Sequence, residues 1–190
     1  MTVLLTTERL SLRAFDAADL DHLLDLDSDP QVMRFLNGGR PTTRSAVRAD
    51  VLPRLSRRIP CLDKPGYWAA EDRASGTFLG WFEFRPVRDD STAVVELGYR
   101  LNRAAWGRGC ATEGARALIR TGFTELGVEL VTANTMTVNV RSRRVMEKAG
   151  LRYVRTYFEE WPDRIDGSEL GEVEYTLTRS DWQRHGEAAG

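Results

Sequence analysis

The segment RAAWGRGCATEGARAL, residues 103–118, places two glycines directly before a helical pattern. Glycine has the most conformational freedom to lose on folding, so Gly107 and Gly109 are poor choices for stability alone. The apolar residues that follow recur at helical spacing as far as Leu126 and predict an amphipathic helix packed on a sheet. The first turn of a helix leaves amide N–H groups unpaired and carries partial positive charge. The segment therefore predicts an anion site, where glycine lets a phosphate approach the backbone.

Two common phosphate-binding motifs do not fit this segment. A dinucleotide fingerprint needs a third glycine where the chain has Thr112. A P-loop needs a lysine after its last glycine, but Gly114 is followed by Ala115 and Arg116. A tight turn that binds nothing stays open at this point, and the rest of the chain must decide.

Composition bounds the function more broadly. A chain of 190 residues with 42% hydrophobic and 29% charged residues predicts one soluble globular domain. The net charge of −1 gives no indication of a nucleic-acid partner. Charge is uneven, however: residues 101–150 hold an excess of Lys and Arg, whereas residues 16–29 contain six Asp and no Lys or Arg. The first window favours anions and the second favours cations, although a solvated helix face is an equally good interpretation of the Asp run.

Cysteine and histidine usage indicates neither a disulfide framework nor a metal site. Cys61 and Cys110 are far apart without motif spacing, and the two histidines are isolated. A reducing cytoplasm is the expected location. The N-terminal apolar run is too short for a signal peptide, and no run approaches the ~20 residues of a membrane span, so we expect no membrane association.

Hydrophobic periodicity predicts a strand, two helices, three antiparallel strands, a helix, a strand, a helix and two strands. The predicted strands cover residues 6–15, 67–72, 77–87, 92–101, 129–138, 151–161 and 172–182. The predicted helices cover a stripe ending by Asp29-Pro30, residues 43–59 with a kink at Pro53, the helix after the glycines, and a short helix ended by Gly150. Residues 162–171 and the tail after Trp182 are expected to be flexible.

This order, together with two motifs, resembles the GNAT superfamily of acyl-CoA-dependent N-acetyltransferases over residues 6–182. The first motif is WGRGCA, residues 106–111, in which Trp106 departs from the Gln or Arg of the family pattern. The second is NVRSRRVMEKAGL, residues 139–151, and both have the form typical of the RimJ/RimL-like branch, the ribosomal-protein alanine N-acetyltransferases. The resemblance implies a single α/β domain over residues 1–190. Its mostly antiparallel sheet of six or seven strands is splayed between the fourth and fifth strands and flanked by about four helices.

The resemblance also implies acetyl-CoA as co-substrate, with no metal. The backbone of the glycine turn would hold the pyrophosphate, through Gly107, Arg108, Gly109, Cys110, Ala111 and Thr112. Basic help would come from Arg103, Arg108 or Arg144. The pantetheine arm would pair with the splayed fourth strand at Leu97, Tyr99 and Leu101, and Asn139 would bond it from the end of the fifth strand.

Candidate side chains follow for the base, for the thiolate and for contact with the acceptor. Glu96, a lone carboxylate in an apolar strand just before the splayed segment, is the first candidate base, with Glu159 and Glu160 as alternatives. Many superfamily members carry a tyrosine where this chain has Met146, so Ser142 is expected to hydrogen-bond the departing thiolate. Trp161 borders the predicted flexible loop and is expected to contact the acceptor.

Three functions stay open. The acceptor amine is a protein N-terminus, or it belongs to a small molecule such as an aminoglycoside, a polyamine or an amino-acid derivative, which the Asp-rich segment would attract. Alternatively the chain is a non-catalytic acyl-CoA-binding domain. No nucleic-acid partner is expected, and a homodimer is left open.

Overall fold

A computed structural model describes residues 3–159 and 165–187 of the chain. Its strands are β1 Val3–Thr6, β2 Leu10–Arg13, β3 Arg58–Ile59, β4 Lys64–Pro65, β5 Tyr67–Asp72, β6 Phe78–Arg88, β7 Ser91–Leu101, β8 Leu130–Met136, β9 Arg152–Tyr157 and β10 Glu172–Thr178. Its α-helices are α1 Leu20–Ser28, α2 Pro30–Asn37, α3 Arg44–Ala46, α4 Leu52–Ser56, α5 Cys110–Glu125, α6 Val140–Lys148 and α7 Arg179–Glu187.

The strands build a mixed, mostly antiparallel sheet, as the sequence predicts. Within the described residues the sheet has eight strands in the order β1-β2-β5-β6-β7-β8-β10-β9. The central pair β7 and β8 is parallel, whereas the other neighbours are antiparallel. A parallel pair needs a long crossover, and α5 provides it. The N-terminus of α5 consequently lies near the C-terminal end of β7.

The N-terminal end of the sheet differs from the prediction of one strand over residues 6–15. The chain instead forms the β1–β2 hairpin, which raises the strand number to eight among the described residues. The Thr7 amide donates to the carbonyl of Leu10 at 2.8 Å, and the Thr7 hydroxyl accepts from the Leu10 amide at 2.9 Å. These local bonds turn the chain where the sequence pattern shows no glycine or proline.

The helices also exceed the expected number, and two were missed for identifiable reasons. Asp29-Pro30 begins α2 rather than closing the helical region, because the Asp29 side chain accepts from the Gln31 amide at 2.9 Å and proline suits the first helical position. Residues 179–187 form α7, where a strand and a flexible tail were predicted. The Thr178 hydroxyl accepts from the Asp181 amide at 3.1 Å and caps this helix.

The predicted kink at Pro53 takes the form of a wide helical turn. Residues Val47–Val51, between α3 and α4, have π-helical geometry. Proline has no amide N–H to donate, so the regular bonding pattern cannot run through this position.

The two faces of the sheet are covered by different helices. On one face, α5 packs so closely that a Cβ added to Gly114 would lie 2.3 Å from the ring of Phe82, and one added to Gly122 would lie 2.5 Å from Phe84. The other face carries an apolar cluster built by α1, α4 and the π-helical turn against Phe78 and Trp81. No helix among the described residues is both long and apolar enough to cross a bilayer.

Candidate active site

The central feature of the site is a gap between β7 and β8. Within the described residues these strands pair at Val94–Leu130, Val95–Val131 and Glu96–Thr132, and the pairing stops there. Residues 97–101 of β7 stay paired with β6 on their other edge. Their backbone groups on the β8 side therefore lack a strand partner and can bind a ligand that carries amides. The register of β7 with β6 shifts between Ser91 and Val95, so the bulge lies outside the splayed segment.

The glycine turn lies at the mouth of this gap, before α5. Gly107 has φ 71° and Gly109, the N-cap residue, has φ 83°, so both are left-handed and the turn itself favours glycine. Gly109 has no side chain that could cap the first-turn amides of α5. The thiol of Cys110 is buried, at 3% exposure, so Cys110 offers this site its backbone rather than its side chain.

A cation that the sequence analysis missed stands beside the turn. The Arg9 guanidinium donates to the carbonyl of Arg108 at 2.5 Å and forms an ion pair with Glu113 at 2.6 Å. Arg9, Arg116 and Lys148 contribute positive charge to an open cleft of about 430 Å³, which Glu8, Gly109, Thr112 and Glu113 also line. Arg9 is separated from the turn by about a hundred positions in the sequence, so no local pattern could reveal it. Arg103, one of the expected cations, instead pairs with Asp29 at 2.6 Å.

The departure at Trp106 has a structural explanation. The indole N–H donates to the carbonyl of Leu101, the last residue of β7, at 2.8 Å. The Arg141 guanidinium lies over the indole ring, 5.3 Å from its centroid. Trp106 therefore joins the end of β7 and the start of α6 to the glycine turn.

Three of the predicted site residues meet where α6 begins. Asn139 caps α6 by accepting from the Ser142 amide at 3.3 Å, and it donates to the Thr135 hydroxyl at 3.1 Å. The Tyr99 hydroxyl lies 3.0 Å from both the carbonyl and the hydroxyl of Ser142. Burial raises the pKa of Tyr99 to about 12. The sequence predicts a role for the backbone of Tyr99 but none for this hydroxyl, while Met146 is buried in the core as a hydrophobic residue.

Glu96 lies on the face of the sheet opposite to the Tyr99 side chain. It is not the solitary carboxylate that its sequence neighbours suggest. Glu83 and Arg85 on β6 are in register with Gly98 and Glu96 on β7. Arg85 contacts Glu83 at 2.5 Å and Glu96 at 2.6 Å. Burial, and then the charge of Glu96, raise the pKa of Glu83. The side chain of Glu83 is 14% exposed, compared with 29% for Glu96.

A second carboxylate group adjoins Glu96 from β10. Strand alternation puts Glu172 on the same face, where it accepts from the Tyr157 hydroxyl at 3.1 Å. Burial, with the charges of Glu159 and Glu96, raises the pKa of Glu172. Thr132, in register with Glu96, has a buried hydroxyl without a hydrogen-bond partner among the described residues. We refer below to Tyr67, Glu83, Arg85, Glu96, Gly98, Thr132, Tyr157 and Glu172 as the acidic face.

Only part of the Asp-rich segment is available to attract cations, because Asp21 and Asp25 are exposed whereas Asp19 and Asp27 are buried in ion pairs. Asp19 pairs with Arg13 at 2.7 Å, and Asp27 pairs with Arg100 at 2.6 Å. Both carboxylates are almost fully buried, and Asp29 is engaged by Arg103 as described above. These aspartates hold α1 and its neighbours to the sheet, because burying a charge requires a partner.

The remaining expectations fall at or beyond the end of β9. Glu159 is exposed just after this strand, and its charge reaches Glu172 and Tyr157. Glu160 and Trp161 lie outside the described residues. The described part of the chain groups no three His, Cys, Asp or Glu side chains in an arrangement that could hold a metal ion.

Comparison with known proteins is consistent with this geometry. Residues 9–152 match the family described as "Acetyltransferase (GNAT) domain". The chain is 35% identical over 187 residues to the FsC-acetyl coenzyme A-N(2)-transacetylase of Aspergillus fumigatus, covering 95% of this chain and 78% of that protein. An acetyltransferase of the GNAT family from Bacillus anthracis superposes with a TM-score of 0.77 at 22% identity, covering 95% of this chain and 99% of its own. The spermidine N-acetyltransferase of Vibrio cholerae, in complex with CoA and spermine, superposes with a TM-score of 0.76 at 16% identity, covering 93% and 99%.

Proposed function

The chain belongs to the GNAT acetyltransferase family and is an acetyl-CoA-dependent N-acetyltransferase, and from this premise we propose that its acceptor is a primary amine of a small, positively charged molecule. The observation that carries the proposal is the acidic face beside the β7–β8 gap. Its carboxylates Glu83, Glu96 and Glu172 outnumber its single cation, Arg85.

In this proposal acetyl-CoA lies along the gap, with its pyrophosphate on the glycine turn. Support comes from the uncapped first turn of α5, the two left-handed glycines and the cations of the adjoining cleft. Asn139 still has one amide hydrogen and one lone pair free for the pantetheine arm, because its two hydrogen bonds use half of its capacity. The proposed contacts are Leu97, Tyr99, Leu101, Gly107, Arg108, Gly109, Cys110, Ala111, Thr112, Asn139 and Ser142.

The reaction is attack of the amine nitrogen on the thioester carbonyl carbon. A backbone amide of the unpaired β7 edge would donate to the developing oxyanion. A carboxylate of the acidic face would accept the proton that the amine must lose, and Glu96 is the candidate that the sequence supplies. Ser142 would donate a hydrogen bond to the departing thiolate. Trp161 stays an expectation for acceptor contact.

Charge favours a small cation over a protein N-terminus as acceptor. A peptide N-terminus brings one positive charge, whereas a diamine, a polyamine or an aminoglycoside brings two or more, and charge complementarity steers such ligands to an acidic surface. The names of the relatives from Aspergillus fumigatus and Vibrio cholerae agree with a small-molecule acceptor. The RimJ/RimL-like form of the WGRGCATEG motif supports the second candidate, a protein N-terminus.

The test is an acceptor screen that measures CoA thiol release from acetyl-CoA. The panel contains alkyl diamines, spermidine, an aminoglycoside, amino-acid amides and a peptide that begins with alanine. We expect the highest kcat/KM with a polycation, and a loss of that preference in high salt, because salt screens exposed charge. Preference for the peptide would support the second candidate, and thiol release with none of the amines would contradict the proposal.

A variant ties this result to the acidic face. Glu172→Gln should raise the KM of a dicationic acceptor about tenfold, ~1.4 kcal/mol, while changing the KM of a monocationic amine less. Glu174→Gln is the matched control, because Glu174 lies on the same strand but pairs with Arg155 at 2.6 Å. Equal effects of the two substitutions would remove Glu172 from acceptor recognition.

A further inference from the structure

We propose that Glu83, and not Glu96, accepts the proton from the acceptor amine, and that the glycine at residue 98 leaves room for the Glu83 carboxylate over the backbone of β7. This inference rests on the proposed function, since it needs an amine acceptor at the acidic face. Neither sequence motif includes Glu83.

The Glu83 carboxylate lies next to the backbone of Gly98 on the neighbouring strand. Glu83 on β6 is in register with Gly98 on β7. A Cβ added to Gly98 would lie 2.8 Å from Glu83 Oε2 and 3.3 Å from the Glu83 Cβ, distances that real Cβ atoms avoid. The carboxylate therefore reaches from β6 over the backbone of β7, inside the segment 97–101 whose other edge opens on the gap. An amine that attacks a thioester held along this edge would approach that carboxylate.

Arg85 contacts two glutamates that we assign to two different roles. Its guanidinium contacts both Glu83 and Glu96. Glu96 lies level with the last residue pair of β7 and β8, before the strands separate. Glu83 is in register with Gly98, two residues beyond that point, and only the backbone of β7 separates its carboxylate from the gap. Glu96 therefore serves as the counter-charge that keeps Arg85 in place, and Arg85 orients Glu83.

The surroundings of Glu83 increase its affinity for a proton. Glu96 on β7 faces it, as do Tyr67 on β5 and Arg85 on its own strand. Burial and the neighbouring negative charge raise the pKa of Glu83, although Arg85 opposes the shift. A base works best when its pKa is close to the working pH, so a raised value suits a carboxylate that must take a proton from an ammonium group.

The proton inventory closes without any further reactant. Glu83 takes one proton from the ammonium form of the acceptor, which breaks an N–H bond and leaves the nitrogen lone pair free. That nitrogen bonds to the thioester carbonyl carbon, the C–S bond breaks with its electron pair on sulfur, and the second nitrogen proton passes to the thiolate. Glu83 then releases its proton to water. The products are the N-acetylated amine and the CoA thiol.

The test compares Glu83→Gln and Glu96→Gln in the intact protein, using the fastest acceptor of the screen. We expect Glu83→Gln to lower kcat by about 10²–10⁴-fold at neutral pH, with the loss shrinking as rising pH deprotonates the amine. Glu96→Gln should cost less and should keep the wild-type pH profile. Gly98→Ala should also lower kcat, because its methyl group displaces the Glu83 carboxylate. Acetyl-CoA affinity, measured by calorimetry, should be unchanged in Glu83→Gln.

Hydroxylamine provides a second readout, because its nitrogen is uncharged at neutral pH and needs no base before attack. Its acetylation should be nearly insensitive to Glu83→Gln, which a variant that simply misfolds could not show. Glu174→Gln again serves as the matched carboxylate control. A Glu83→Gln protein with the rate and pH profile of the wild type, beside an impaired Glu96→Gln, would overturn this inference alone. A wild type that acetylates no amine would overturn the proposed function as well.

Discussion

At the scale of single residues, the hydrogen bonds between Tyr99 and Ser142 decide what Ser142 can do. Each hydroxyl has one proton. Tyr99 can donate its proton to the carbonyl or to the hydroxyl of Ser142, and Ser142 can donate to a thiolate when its own proton is not directed at Tyr99. The raised pKa of Tyr99, about 12, makes the phenol a poor proton source, and we assign Tyr99 an orienting role. We therefore propose that the pair stabilises the leaving thiolate by hydrogen bonding rather than by full proton transfer.

This assignment predicts graded losses in turnover. Ser142→Ala removes a hydrogen bond to a charged group, typically worth about 1.5–3 kcal/mol, so kcat should fall roughly ten- to hundredfold. Tyr99→Phe removes only the orienting bond, about 1 kcal/mol, and kcat should fall roughly fivefold. Steady-state kinetics with saturating acetyl-CoA, together with calorimetry, separates kcat from affinity. Weaker acetyl-CoA binding with unchanged kcat would make Ser142 a binding or capping residue.

The sequence identified residues of this kind only where a motif included them. Asn139 and Ser142 lie in one contiguous motif, and the structure brings them together at the start of α6. Glu83 and Arg9, in contrast, contact residues that are distant from them in the sequence: Glu83 lies beside Gly98, and Arg9 binds the carbonyl of Arg108. Which residue of β6 meets Gly98 depends on strand register, and register is fixed by packing that no local pattern contains.

At the scale of elements, the glycine turn has a left-handed backbone and is proposed to bind the pyrophosphate, and two substitutions separate these roles. The two substitutions are Gly109→Val and Gly109→Asn. The first introduces a β-branched residue at φ 83°, whereas the asparagine of the second tolerates the left-handed region. Both side chains should obstruct the phosphate and weaken acetyl-CoA binding at least tenfold, ~1.4 kcal/mol. Only the valine should also lower the free energy of unfolding, by about 1–3 kcal/mol.

Calorimetry and thermal unfolding measure these two effects. Gly38→Asn is the matched control, because Gly38 ends α2 at φ 75° with open space around its Cα. Full acetyl-CoA affinity in Gly109→Asn would mean that this glycine serves only the turn.

The sequence predicts most central elements because their hydrophobic patterns are strong. The strands β5 to β8 and the helices α5 and α6 lie where periodicity places them, to within one or two residues. The errors concern elements that depend on single side-chain caps: the β1–β2 turn at Thr7, α2 after Asp29, and α7 after Thr178. Such caps contribute about 1 kcal/mol each and leave only a weak trace in the sequence.

At the scale of the whole molecule, the sheet consists of two halves that meet at three residue pairs of β7 and β8 within the described chain. A ligand in the gap adds hydrogen bonds between the halves. Acetyl-CoA at about a hundredfold its Kd should therefore stabilise the fold by about 2.7 kcal/mol, measured as a rise in Tm.

Hydrogen exchange should slow most in residues 97–101. Adenosine 3′,5′-bisphosphate, which lacks the pantetheine arm, should slow exchange at the glycine turn without protecting β7, and equal protection of β7 by both ligands would contradict this placement of the arm.

The distribution of charge over the molecule also shows where sequence reasoning failed. The Asp run of residues 16–29 is the most acidic segment of the sequence. Its two buried aspartates, however, form ion pairs with Arg13 and Arg100. The acidic face, in contrast, draws single glutamates from β6, β7 and β10. Each glutamate is unremarkable in its own strand, so only the assembled sheet reveals their proximity.

The gap between β7 and β8 also bears on the order in which substrates bind. Glu83 and Glu96 belong to one half of the sheet, and Thr132 and Glu172 belong to the other, so the acceptor surface spans the seam. Before the cofactor binds, the separation of these groups is held by three residue pairs and the packing of α5. Once the arm bridges the seam, that separation is set. From the proposed placement of the two substrates we expect an ordered sequential scheme, in which the cofactor enters first and the amine meets its complete binding surface only in the binary complex.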